Sequence, residues 1–171
     1  MYRKLSLIAL LALLPHQPAH ADPIHAVADG AYWHHDSGWV FPEKIGEYER
    51  VGIPQDVAGS PDAVGYYACV ENGVRMTASV DVYLAKSAAA AELEGRPEGL
   101  LTSEGAFPLS ATPALAGTRL ILEVGTKTPA LEGLYFIHVG EWRVRIRITG
   151  SSADSMDTFV RGQRWEALGN R

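Results

Sequence analysis

The pair Asn72-Gly73 stands between two runs of alternating apolar and polar residues, Val64–Glu71 and Val74–Leu84. Asn-Gly is the dipeptide favoured in a two-residue type I′ turn, because both central positions need positive φ. Such a turn commits the chain to antiparallel sheet and fixes which side chains share a face. Val74, Met76, Ala78, Val80, Val82 and Leu84 fall on one side of the second arm, and Arg75, Thr77, Ser79, Asp81 and Tyr83 on the other. A two-residue turn places Tyr67, Cys69 and Glu71 on the apolar side, with Glu71 at the wet end of the hairpin.

A second hairpin follows the same logic. Leu134–Val139 and Trp142–Thr149 flank Gly140-Glu141, so that Val139 pairs with Trp142, Ile137 with Val144 and Tyr135 with Ile146. The opposite face then pairs His138 with Arg143, Phe136 with Arg145 and Leu134 with Arg147. Thr118–Val124 reads as a further strand, and Ile45–Ile53 as a short one entered through Gly46. Ser87–Glu94 is alanine- and carboxylate-rich with Ser87 as N-cap, which predicts a helix; Gly95 and Pro97 end or bend it, and some helix resumes through Leu100 and Leu101. Gly105–Gly117 is predicted to be loop. A last helix is expected over Ala153–Leu168, opened by the capping pattern Ser151-Ser152-Ala153-Asp154 and stopped at Gly169. Its stripe Met156, Phe159, Val160, Gln163 and Ala167 should face the sheet, with Trp165 on the far side.

The N-terminal 21 residues read as an address. Arg3 and Lys4, the apolar run Leu5–Leu14 and the A-x-A end at Ala19-His20-Ala21 have the order of a cleaved secretory signal peptide. The run is shorter than the roughly 20 apolar residues a membrane span needs. The expected mature chain, residues 22–171, is one domain in size, with an irregular surface arm over residues 22–38, and is assigned to the periplasm or the exterior. Its one cysteine, Cys69, excludes an intramolecular disulfide and is expected to be a buried packing residue. The formal charge of −5 becomes more negative once Arg3 and Lys4 leave with the leader. That balance, without a basic cluster, argues against nucleic acid or an anionic membrane as partner.

Strands, helix, strands, helix with hairpins throughout predict an α+β fold: a single antiparallel sheet packed by two or three helices, α/β/α sandwich-like. The stretches Trp39–Gly46, Val80–Tyr83 and Trp142–Thr149, the last leading into the final helix, resemble small exported bacterial proteins of uncharacterised function. In order of elements the chain also resembles the sandwich of the PsbP and Mog1-like group. That resemblance implies an accessory or binding module and supplies no catalytic residue.

Two clusters carry potential chemistry. His34, His35 and Asp36, with His25 nine residues earlier, are ligand types for zinc or copper, although adjacent histidines on an extended chain point opposite ways. Arg143, Arg145 and Arg147 recur two residues apart and could cradle a carboxylate or phosphate, with Phe136 beside Arg145 and Phe107 from the Gly95–Gly117 segment completing the seat. That segment is long enough for a binding loop. Tyr32, Trp33 and Trp165 are candidates for a protein contact. No nucleophile elbow, S-x-x-K or phosphate-binding glycine motif is present, and no cofactor is implied. The reading that follows is an exported, non-catalytic binding or accessory module, monomeric or weakly dimeric, whose partner is an envelope protein or a small anionic ligand. Its alternative is a small metal-dependent or hydrolytic enzyme built on His34, His35 and Asp36.

Overall fold

The computed structural model describes residues 23–56, 61–86, 100–109, 116–124 and 130–168. The leader and the predicted Ser87–Glu94 helix lie outside them. Three short strands open the described chain: β1 (Ile24–Ala26), β2 (Tyr32–His34) and β3 (Val40–Phe41). They pair in the order β1-β2-β3 as a small antiparallel sheet. Asp29 and Gly30 turn the chain between β1 and β2 at φ 59° and 66°. The residues expected to form an irregular arm are therefore partly built into the body, with Ile24, Ala31, His34 and Ser37 buried.

The main sheet has nine strands. Those at one end are short: β4 (Lys44–Ile45), β5 (Tyr48–Arg50) and β6 (Gln55–Asp56). The long ones are β7 (Ala63–Glu71), β8 (Val74–Leu84), β9 (Leu100–Pro108), β10 (Ala116–Val124), β11 (Ala130–Val139) and β12 (Trp142–Gly150). They run β4-β5-β7-β8-β12-β11-β10-β9, with β6 also on β7. Both hairpins adopt the expected register. Glu71 faces Val74, Cys69 faces Met76 and Tyr67 faces Ala78, with Asn72 and Gly73 at φ 52° and 76°. Val139 faces Trp142, Ile137 faces Val144 and Tyr135 faces Ile146.

The expected α+β sandwich is overturned. Among the described residues there is one α-helix, α1 (Ala153–Arg161), against a nine-stranded sheet. The difference arises largely between residues 100 and 124. Leu100 and Leu101, expected to resume a helix, are strand, and so are the two ends of the predicted Gly105–Gly117 loop, 105–108 and 116–117; its middle, 110–115, lies outside the described residues. β9 pairs with β10 from Ala116↔Pro108 to Glu123↔Leu100. Gly105 and Ala106 blur the alternation that marks a strand, while the apolar alternation of β10 supplies the partner that holds β9 extended. A register shift between Ile121 and Leu122 takes up the irregularity.

One face of the sheet carries the main core. Val80, Val82, Tyr135, Ile137, Val144, Ile146 and Ile148 on that face pack with Trp39 and Phe41 of the small sheet and with Met156, Phe159 and Val160 of α1. Phe41 lies so close to β7 that a Cβ on Gly65 would sit 2.5 Å from its ring. Arg50 ties the small sheet to the large one: its guanidinium donates to the carbonyls of Phe41 (2.8 Å), Gly30 (2.7 Å) and Gly52 (3.0 Å) and stacks over Tyr32. Ser152 caps α1, accepting from the Ser155 amide at 3.1 Å. The helix stops at Gly162, earlier than expected, and a 3₁₀ turn over Trp165–Ala167 brings Trp165 back into the core. Trp165 is buried, not exposed: its indole donates to the Val160 carbonyl at 2.8 Å, and its ring packs edgewise on Trp39.

The helix is anchored to the sheet by a buried carboxylate. Asp157 accepts from the Tyr135 hydroxyl at 2.6 Å and from Arg119 at 2.6 Å, with Arg161 at 3.9 Å. Removing it leaves a buried phenol and a half-buried guanidinium without their acceptor. Asp157→Ala is therefore expected to cost about 3–5 kcal/mol, the range for breaking one side of a buried pair. Tyr135→Phe should cost about 1 kcal/mol. Urea unfolding monitored by tryptophan fluorescence measures both.

Candidate functional site

The structure separates the three residues of the predicted metal cluster. His34 is fully buried, shares a 2.7 Å hydrogen bond with the Ser37 hydroxyl through Nδ1, and meets the Trp142 ring edge-on. His35 points to solvent beside Asp36, at 3.2 Å. The split falls at the end of β2: His34 is its last residue, and His35 and Asp36 lie in the turn that follows. His25 and His35 instead flank Trp33 on the outer side, with ring centroids 6.2 and 5.3 Å from it. His138 is exposed on the far side of the main sheet, opposite Arg143. No group of three or more metal-ligating side chains converges among the described residues.

The arginine row lies on the sheet face opposite the main core; Arg143 and Arg147 have hydrogen-bond partners within the protein, whereas the buried Nε of Arg145 has none among the described residues. Arg147 grips Glu132 with Nε and Nη2, at 2.5 and 3.1 Å. Arg143 donates to the carbonyls of Gly140 and Trp142. Arg145 faces Phe136 on one side and Asp81 on the other. Burial pushes the Asp81 carboxyl above the usual range, while Arg145 and the Ser79 hydroxyl pull it down. Phe107 is on the other face, buried beneath Arg119 and Arg161 at 5.8 and 4.8 Å. The five residues of the expected anion seat are therefore divided between two sides of the sheet.

A different site forms where the main core opens to solvent. The β4–β5 hairpin turns through Gly46-Glu47, with Gly46 at φ 58°, the pattern of a II′ turn with glycine in its first central position. Across from it run the end of β7 and the outer turns of α1. Between them lies a cleft of about 280 Å³ walled by Ile45, Tyr48, Cys69, Val70 and Phe159, with Ser155 and Thr158 on the helix side and Glu47 and Glu71 among its polar groups. Its floor is aromatic, Tyr48 meeting Phe159 edge to face at 4.8 Å.

The polar groups around this cleft are held in place. The Tyr48 hydroxyl donates to the Thr149 carbonyl at 2.7 Å and lies within hydrogen-bond reach of the Cys69 thiol. Burial pushes the Tyr48 phenol up. Burial also raises the Cys69 thiol above its ordinary range; the Tyr48 hydrogen bond opposes that, and the charges of Glu71 and Glu47 add to it. Cys69 is thus a neutral thiol at neutral pH. It is half-buried, not sealed in the core as its strand context suggests. Glu71 accepts from both the hydroxyl and the amide of Ser151, which locks its carboxylate beside the start of α1.

Sequence periodicity places Tyr67, Cys69 and Glu71 on one side of β7, and the structure agrees. What it lacks is the partner across the opening. Tyr48 and Glu47 lie more than twenty positions away, and only the docking of the β4–β5 hairpin beside α1 reveals them.

Buried His34 also gives the N-terminal sheet a pH dependence. Burial holds its imidazole below the ordinary value; Asp36, Asp62 and Asp56 pull it up, and His35 pushes it down. Unfolded, it takes a proton near pH 6.5. Its contribution to stability is therefore full above that pH and is lost as pH falls from about 6.5 towards the folded value. Urea midpoints measured between pH 7.5 and 5.5 should decline, and His34→Gln should flatten that decline. Comparison of the chain with family models, with curated proteins and with solved structures finds no match.

Proposed function

We propose that this protein is an exported, non-catalytic binding module of the cell envelope, with the cleft between the β4–β5 hairpin and α1 as its ligand seat. The observation that carries this is the cleft itself: about 280 Å³ reaching solvent, floored by the buried Ile45, Tyr48 and Phe159 and edged by the half-buried Cys69 and the exposed Val70. Val70 at its mouth is exposed apolar surface that a bound ligand would cover. The leader-like first 21 residues and the resemblance of three stretches to small exported bacterial proteins support that location.

The chemistry of the walls favours binding over catalysis. The thiol is neutral, the Tyr48 hydroxyl is engaged with a backbone carbonyl, and the cleft's lining holds no histidine to act as base. The arginine row, with Arg147 on Glu132, Arg143 on backbone carbonyls and Arg145 beside Asp81, and the divided histidines line no cleft comparable to this one among the described residues. Among the described residues no helix is long and apolar enough to cross a membrane.

Cys69, the chain's one cysteine, reports occupancy directly. A neutral aromatic probe, benzyl alcohol, should slow alkylation of Cys69 by N-ethylmaleimide in the folded protein. Thr158→Trp, which fills the cleft from the helix side, should slow alkylation without the probe and abolish further protection by it. An alkylation rate indifferent to the probe at saturating concentration would remove this reading.

A further inference from the structure

We infer that the occupant of this cleft is a small cation with an apolar body, an organic amine or quaternary ammonium; this rests on the cleft being a ligand seat. Two carboxylates, Glu47 and Glu71, belong to its lining, and no Lys, Arg or His does. Both act on the same point of the wall, since the thiol of Cys69 feels the charge of each. They arrive from different elements, Glu47 from the β4–β5 turn and Glu71 from the end of β7. The cation next to the turn, Lys44, is directed at Glu49 on the neighbouring strand, 3.6 Å away.

The carboxylate of Glu71 is preorganised. Two hydrogen bonds from Ser151 fix its oxygens, so a bound cation need not order it. The apolar part of the seat suits the same ligand class. The buried aromatic pair Tyr48–Phe159 floors the seat and offers an apolar surface for the body of such a ligand. Val70, which is 74% exposed, extends the apolar wall to the mouth. The volume sets the size: about 280 Å³ is the liquid volume of about nine waters, which admits a ligand of roughly ten heavy atoms.

An anion would meet the opposite conditions. It would enter a low-dielectric wall beside two negative charges with no donor except hydroxyls and the thiol. The chain's net charge of −5 would repel it at a distance and draw a cation in.

The test uses three probes sharing one aromatic body: benzyltrimethylammonium, benzyl alcohol and phenylacetate, titrated into the intact protein by calorimetry. The cation should bind about tenfold more tightly than either counterpart, the gain from two carboxylates acting on one charge. That preference should shrink as salt is raised. Glu47→Gln and Glu71→Gln should each reduce it severalfold while leaving benzyl alcohol binding in place. Glu141→Gln, in the turn between β11 and β12, should change nothing. Glu47 is exposed on a turn, so its variant keeps the test sound even if Glu71→Gln unsettles the Ser151 contact. Equal affinity for all three probes, or an equal loss in Glu141→Gln, would overturn the cation and leave an apolar seat standing. If none of the three binds and Cys69 is not protected, the seat falls as well.

Discussion

Two residues at positive φ, Asn72 and Gly73, decide on which side of the sheet every side chain of β7 and β8 lies. The period of a strand is two, so a slip of one residue would turn Tyr67, Cys69 and Glu71 outwards and bring Tyr66, Ala68 and Val70 into the core. The tight turn forbids that slip, because a two-residue loop needs Glu71 opposite Val74. β8 passes the same register to β12 through Val82↔Val144 and Val80↔Ile146, and β12 passes it to β11. The seat of the cleft inherits it too: Cys69 and Glu71 face α1 only because the turn places them there.

Much of this was legible in the chain because it is local. Alternation over Val74–Leu84 and Trp142–Thr149, with a glycine-containing turn before each, encodes both hairpins and their pairing without reference to anything distant. Ser152 as helix cap and the inward stripe Met156, Phe159 and Val160 are equally short-range. Each loss has its own physical cause. β9 lacks its own alternation and is held by β10, so reading it alone yields loop. Trp165 is assigned to the wrong side by assuming that the helix runs on, whereas Gly162 ends it and redirects the chain. Counting helices from propensity while overlooking the partner-dependent strand produced a sandwich where the sheet itself is the larger element.

The charged residues show how far alternation carries. It puts Arg143, Arg145 and Arg147 on one face, as found, but it says nothing of which acids meet them. Glu132 reaches Arg147 diagonally across β11 and β12, two positions from the directly facing Leu134. Asp157 is harder still, because its partners come from β10 and β11, and its burial is offset only by the joint presence of Tyr135 and Arg119. A row of one sign in a strand is therefore a statement about direction, and its chemistry belongs to the strands beside it.

The cleft is best understood against what would close it. Gly46 carries no side chain toward the opening, and a Cβ there would meet nothing within 4 Å. Ser155 and Thr158 are short residues on the facing side of α1, where leucine or phenylalanine would fill the space and extend the core. Filling it would demand only one longer apolar residue in a helix whose inward face already carries Met156, Phe159 and Val160. The same opening is edged by a carboxylate that Ser151 holds in a fixed orientation. Space without filling, aromatic walls and an oriented charge are three departures from efficient packing, and they coincide at one place. That coincidence is the support for the proposal that the cleft is a ligand seat.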